Sequence, residues 1–237
     1  MTLPSPLAVD CTQCTARSHC LSSALPALTL NDYEELIAFR KPLRRHQQLM
    51  TRDAPFEHLY AISDGQIKTE TTAPDGSVHV TGLYLPGEVL GLESLGAGRY
   101  TADAIALCDS TVCAIHYRDL TALMARESDL LSRFHALCGA QLARQQTAMS
   151  LLGGARAPQR IAAFLLELGQ RHAALGESPT LFNLRMSRED LGSYLGLALE
   201  SVSRVLTRFR ADGLLCVSNR SIVLRDVAGL QALAASR

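Results

Sequence analysis

The chain lacks a net charge: 23 Lys and Arg balance 23 Asp and Glu over 237 residues. Charge as a whole therefore names no partner, and any charged partner must be met by one region alone. It also lacks a long apolar run, none approaching the roughly 18–20 residues that span a bilayer. No basic segment followed by an apolar stretch opens the chain, as a signal peptide would. These absences lead to the expectation of a cytoplasmic protein with no membrane partner. No P-loop, Rossmann glycine pattern or nucleophile elbow occurs, so an enzyme is not expected. Proline is absent from residues 119–152, and glycine occurs there only at Gly139, which allows a long helix.

What is present suits a folded protein. Apolar residues make up 47% and charged residues 19% of the chain, and its length allows one large or two modest domains. Charge is unevenly spread. Residues 1–154 carry 12 basic against 16 acidic side chains, whereas residues 155–237 carry 11 against 7. The C-terminal third is thus the part suited to a polyanion.

Seven cysteines are an odd number, which argues against a complete disulfide framework. Three of them crowd "VDCTQCTARSHCL" in a C-x2-C-x5-C pattern: Cys11, Cys14 and Cys20. In a reducing compartment clustered thiols favour a metal over a cross-link. Spacing alone leaves cross-link, metal and accident open.

Four regions follow, with boundaries at 1–25, 26–117, 118–154 and 155–237. Residues 26–117 read mostly as β, with short apolar alternations broken at Asp64-Gly65, Pro74-Asp75-Gly76 and Pro86-Gly87. That spacing of turns indicates an antiparallel sandwich or barrel. "DSTVCAIHY" at 109–117 reads as its late strand. From Asp119 the period becomes helical, ending near Gly153-Gly154 with Pro158 beyond. His135, Cys138, Leu142, Gln145, Met149 and Leu152 form one heptad seam. Phe134, Leu137 and Gln141 lie on a neighbouring face. The pattern suits either a helix that packs one face on the β domain and meets a second helix along the seam, or one helix with a broad buried face.

"MSREDLGSYLGLALESVSRVLTRFRADGLL", residues 186–215, is the most specific stretch. Ser187 with Asp190 three residues on is a capping-box pattern. A helix from Arg188 to Leu195 is expected to end at Gly196, and a second to run from Leu199 to about Asp212. Gly192 is small where close crossing is needed. Leu191, Leu195, Leu197, Val202 and Val205 are the apolar positions that hold such a pair. This is a helix-turn-helix pattern. Glu200, Ser203 and Arg204 would project from the N-terminal half of the second helix, with chemistry suited to base edges. Arg208 and Arg210 suit phosphate. The plainer alternative is an αα-hairpin with a Glu200–Arg204 surface pair. "LLCVSNRSIVLRD" at 214–226 reads as a β-hairpin.

This order of parts resembles the CRP/FNR superfamily of bacterial transcription regulators over nearly the whole chain. The resemblance implies an α+β fold: an N-terminal cyclic-nucleotide-binding-like β jelly roll, a long dimerisation helix and a C-terminal winged helix-turn-helix. Residues 1–25 would be a cysteine-bearing arm, 26–117 the sensory domain, 118–154 the dimerisation helix and 155–237 the DNA-binding domain. In the cyclic-nucleotide branch, a Gly-Glu turn and a later Arg-Ser/Thr-Ala hold the phosphate. Here Gly87 and Glu88 are present, but Tyr100 separates Arg99 from Thr101-Ala102, and in a strand that would turn Arg99 to the other face.

The opening cysteines, "YAISDGQIKT" and the recognition motif E-S-V-S-R resemble the FNR type instead. That resemblance implies a [4Fe–4S] cluster held by Cys11, Cys14, Cys20 and, as the best match for the fourth ligand, Cys113. Soft thiolates suit iron, and each iron of a cubane needs one outside ligand. The recognition residues carried over are Glu200, Ser203 and Arg204, reading a palindromic TTGAT-type site as a homodimer. Oxygen would disassemble the cluster, loosen the arm and lower DNA affinity. RNA polymerase is the implied further partner, with the turn at Pro74–Gly76 a candidate contact. Structural zinc and a cyclic nucleotide remain the alternative ligands, and Cys108 a rival fourth thiol. Some FNR-type proteins place an acid in the seam where this chain has uncharged Gln145, which implies a more readily formed dimer without the cluster. His19, beside Cys20, is either a solvated loop residue or a polar group admitting solvent.

Overall fold

The structure, a computed structural model, describes residues 10–236. Residues 1–9 of the expected arm and Arg237 lie outside the described residues. The chain divides into two compact units, with the boundary inside one helix between Gln141 and Leu142 and with Ala73–Val80 counted in the second.

The first unit begins with three short 3-10 turns, Cys11–Gln13, Arg17–His19 and Leu21–Ala24. Helix α1 (Ala27–Glu35) follows, then strands β1 (Ile37–Leu43), β2 (Gln48–Met50), β3 (His58–Asp64), β4 (Ile67–Thr72), β5 (Val78–Tyr84), β6 (Val89–Leu90), β7 (Asp103–Ala106) and β8 (Ser110–His116). They form two four-stranded sheets, ordered β1-β8-β3-β6 and β2-β7-β4-β5. This is the antiparallel sandwich that the turn spacing indicated, in the jelly-roll form that the family resemblance implied. Alternation along the strands sorts side chains into two cores. Tyr60, Ile62, Val112 and Ala114 fill the inside of the roll with Met50, Ile67, Tyr84 and Tyr100. Leu59, Ala61, Cys113 and Ile115 face the other way.

That second face is covered by the arm and by helices. Leu21, Leu25, Leu30 and Tyr33 pack on it together with Leu120, Leu123, Leu130 and Phe134. Leu21 is fully buried and Leu25 nearly so. Each buried leucine contributes roughly 1.5–3 kcal/mol, so burial in this shared core holds the described part of the arm. Two differences from expectation concern helices. Residues 26–117 were expected to be mostly β, yet they begin with α1, whose nine residues are too few to show a helical period. The expected single helix over 118–154 is two, α2 (Tyr117–Met124) and α3 (Ser128–Gly154). Glu127-Ser128-Asp129 restarts it: the Glu127 carbonyl accepts from the Leu131 N–H, and Asp129 lies in the first turn, where negative charge suits the helix dipole.

In the second unit α4 (Ala157–Ala174) precedes β9 (Leu181–Asn183), α5 (Arg188–Leu195), α6 (Leu199–Ala211), β10 (Leu215–Ser218), β11 (Ser221–Leu224) and α7 (Val227–Ala235). β10 and β11 form the hairpin expected at 214–226, and Asn219 at its tip takes φ 54°. β9 adds a third strand beside β11.

Candidate thiol recess and nucleic-acid interface

Cys11, Cys14 and Cys20 are presented by the first two 3-10 turns. Asp10 starts the first turn by accepting from the Thr12 N–H at 2.9 Å. The Glu34 carboxylate of α1 then accepts from the Cys11 N–H at 2.6 Å. The Cys20 N–H closes the second turn on Ala16 and Arg17 carbonyls, each at 3.1 Å. Cys113 sits mid-strand in β8, paired with Arg40 of β1 on one side and Ala61 of β3 on the other. All four cysteines line one recess of roughly 300 Å³, counting space open to solvent, with Tyr33, Ile37 and Ser63. Gly87 lets its turn approach the arm, since a Cβ there would meet His19 Cβ at 2.6 Å.

Burial pushes the Cys11 thiol up to about 12, and the neighbouring Cys20, Glu34, Cys113 and Cys14 add to the shift. Burial likewise pushes Cys113 up to about 11, against the pull of the Arg40 guanidinium. These thiols hold their protons at neutral pH until a cation replaces them. Among the described residues, no three His, Cys, Asp or Glu side chains converge closely enough to hold a single metal ion. The four cysteines instead share the lining of one recess. An all-sulfur set of four, two of them buried and two half-buried, and mutually repelling when ionised, fits a thiophilic polynuclear centre.

Cys108 lies in the bend before β8, with Sγ 3.9 Å from Ser110 Oγ, and is not among the recess residues. It was the rival fourth thiol of the sequence analysis, and it lies outside the strand that carries Cys113. A correction applies to Arg99. Residues 99–102 precede β7, so strand pleat does not decide where Arg99 points. Its Nη1 donates to the Asp53 carbonyl at 2.7 Å instead. Tyr100 is buried, and its hydroxyl donates to the His58 carbonyl at 2.9 Å. Glu88 accepts from the Leu85 N–H within its own turn. Nothing in the sequence pattern indicated that Tyr100 fills the roll.

Helix α3 presents two different faces. Leu130, Phe134 and Gln141 are buried, and Gln141 Nε2 donates to the Tyr84 hydroxyl at 3.0 Å. The heptad positions lie outside: His135 and Gln145 are exposed, Cys138 is half-buried, and Leu142, Met149 and Leu152 are 60%, 71% and 43% exposed. Leu131, also exposed, extends the seam by one turn.

The helix-turn-helix forms as its local signals dictate. Ser187 caps α5, its Oγ accepting from the Asp190 N–H at 2.9 Å while Asp190 accepts from the Ser187 N–H at 3.0 Å. Gly196 ends α5 at φ 62°. A Cβ on Gly192 would meet the Leu197 carbonyl oxygen at 2.6 Å; the tight approach is to the turn backbone. Leu191, Leu195, Val202 and Val205 are buried, and Leu197 is half-buried. On α6, Glu200, Arg204 and Arg208 are exposed. Ser203 is half-buried and accepts from Arg188 Nη1 at 3.2 Å, which brings in a basic residue the sequence reading omitted. Arg204 reaches Ser201 Oγ at 3.5 Å, and Arg208 pairs with Asp212 at 3.3 Å.

Comparison with known proteins agrees with this architecture. Residues 40–127 match the cyclic nucleotide-binding domain and residues 159–233 the Crp-like helix-turn-helix domain. The chain is 37% identical to the transcriptional regulatory protein btr of Bordetella pertussis, over 97% of this chain and 95% of that protein. It is 34% identical to the fumarate and nitrate reduction regulatory protein of Salmonella typhimurium, over 96% and 91% respectively. The chain belongs to the CRP/FNR family of transcription regulators. A solved CRP/FNR relative, FixK2 from Bradyrhizobium japonicum, superposes with a TM-score of 0.76 at 32% identity, covering 85% of this chain and all of that one. The FNR relatives support the FNR-type branch of the family, and the Crp-like domain makes this member a DNA-binding regulator. No helix among the described residues is long and apolar enough to cross a membrane.

Proposed function

We propose that this regulator senses oxygen through a [4Fe–4S] cluster held by Cys11, Cys14, Cys20 and Cys113. The observation that carries the reading is that three arm cysteines and one strand cysteine line a single recess. A bound cluster would supply the oxygen-reactive centre and tie the arm to the strand. The chain's own residues do the rest. Glu34 and Tyr33 seat the arm against α1: the carboxylate accepts from the Cys11 N–H, and the Tyr33 hydroxyl lies 3.9 Å from Cys20 Sγ. Cys113 anchors the arm to a central strand. Helix α3 holds the roll with Leu130 and Phe134, and offers Leu142, Met149 and Leu152 to a second copy. A homodimer along that seam would set two α6 helices about one DNA turn apart. Glu200, Ser203 and Arg204 would read each half of a palindromic TTGAT-type site, with Arg208 on phosphate. RNA polymerase is the partner such a regulator would engage, in the cytoplasm.

Two other ligands fit less well. A cyclic nucleotide needs a cation at the phosphate, and Arg99 is bonded to the Asp53 carbonyl. A structural zinc needs sulfurs about 2.3 Å from one point, and no such convergence occurs among the described residues. Anaerobic purification with iron and acid-labile sulfide analysis tests the reading, followed by DNA affinity before and after air exposure. Bound iron and sulfide with weaker DNA binding in air are expected. Colourless protein of unchanged affinity refutes it.

A further inference from the structure

One side chain joins the thiol-bearing arm directly to the helix of the seam. Arg133 stands in the second turn of α3, flanked by buried Phe134 and by the exposed seam residues Leu131 and His135. Its Nη2 donates to the His19 carbonyl at 2.6 Å and its Nε to the Cys20 carbonyl at 3.3 Å. A guanidinium is planar, and its forked donors keep their strength only while both acceptors hold a set direction. The acceptors here belong to Cys20 and the residue before it, so the peptide direction Arg133 reads is the one that places Cys20 Sγ in the recess. The Cys20 carbonyl also accepts from the Ser23 N–H at 3.2 Å, so the turn that carries Leu21 shares the direction that Arg133 reads.

We propose that Arg133 is the positioning residue through which the state of the arm reaches α3. With the arm seated, both carbonyls are in place and the first turns of α3 are held against the roll, so that Leu131 and His135 point along the seam. With the arm displaced, Arg133 loses its acceptors and the same turns gain freedom that a dimer must then remove. The inference rests on the oxygen-sensing reading and adds to it the route by which the arm acts.

The test uses the full chain prepared without oxygen, as wild type, Arg133→Gln and Arg133→Lys. Iron and sulfide per chain, the dimer dissociation constant by sedimentation, and hydrogen exchange across 14–24 and 128–140 are measured on each. For Arg133→Gln we expect unchanged iron and sulfide with a dimer weaker by about tenfold, within the usual span of coupling between sites. Exchange should quicken in both segments together, and Arg133→Lys should recover part of each effect. Loss of iron in step with the dimer overturns the proposal, since Arg133 would then be holding the ligand site. So does a dimer constant equal to wild type, or faster exchange in the arm alone. If wild type itself carries no iron, the oxygen-sensing reading fails, and exchange in the two segments still decides for or against Arg133.

Discussion

Residues 187–213 and the thiol recess are built from different kinds of instruction. In the helix-turn-helix each decisive contact joins near neighbours: Ser187 caps through Asp190, and Gly192 meets the Leu197 carbonyl. The recess instead joins three turns near the N-terminus to the middle of β8 through α1, β1 and β3. A local motif keeps its shape whatever happens elsewhere. A site assembled from distant strands reports on whether they are together, which is the property a sensor needs.

The sharpest way to break this contrast is Cys113→Ser. Iron and sulfide in anaerobic protein should fall to background and DNA affinity to the air-exposed value, while circular dichroism of the winged domain stays unchanged. Next is Leu142→Glu, which sets like charges face to face in an apolar seam. Dimer dissociation should rise by at least about a hundredfold with iron retained, measured by sedimentation. Arg204→Ala should cost about 1–3 kcal/mol of affinity for the palindrome, read by titration of labelled DNA, without altering iron. Gly192→Ala forces a Cβ onto backbone and should destabilise the second unit by about 1–3 kcal/mol in thermal melts, leaving the recess untouched.

The smallest effect concerns Glu93, whose carboxyl burial holds above its ordinary value of 4.5, with Gln141 opposing by hydrogen bonding. The folded chain then binds that proton more tightly than the unfolded chain. Ionisation therefore costs stability as pH rises past the ordinary value, and the cost vanishes below it. Glu93→Gln should raise the stability of the first unit by roughly 1 kcal/mol at neutral pH and give no gain below about 4.5. Melts at both pH values check this.

Legibility followed the range of the interactions. Bounds of α5 and α6, the hairpin at Asn219 and the exposed heptad were readable because capping, glycine and heptad signals act within one or two turns. Helix α1 was not, because Leu30 and Tyr33 show their burial only beneath β8. The restart of α3 at Ser128 was hidden in an unbroken helical period. Arg99 was placed by strand alternation, yet it forms only an isolated bridge with Pro55, and Cys108 lies in a bend.

The sequence by itself determined the order of parts, the helix-turn-helix and the presence of a thiol-rich end, since each depends on neighbours along the chain. Only the tertiary structure decided that Leu21 and Leu25 bury the arm, that Tyr100 fills the roll, and that Arg133 holds the carbonyls beside Cys20. Those contacts join residues far apart in the chain, and no local pattern encodes which distant surface a side chain will meet.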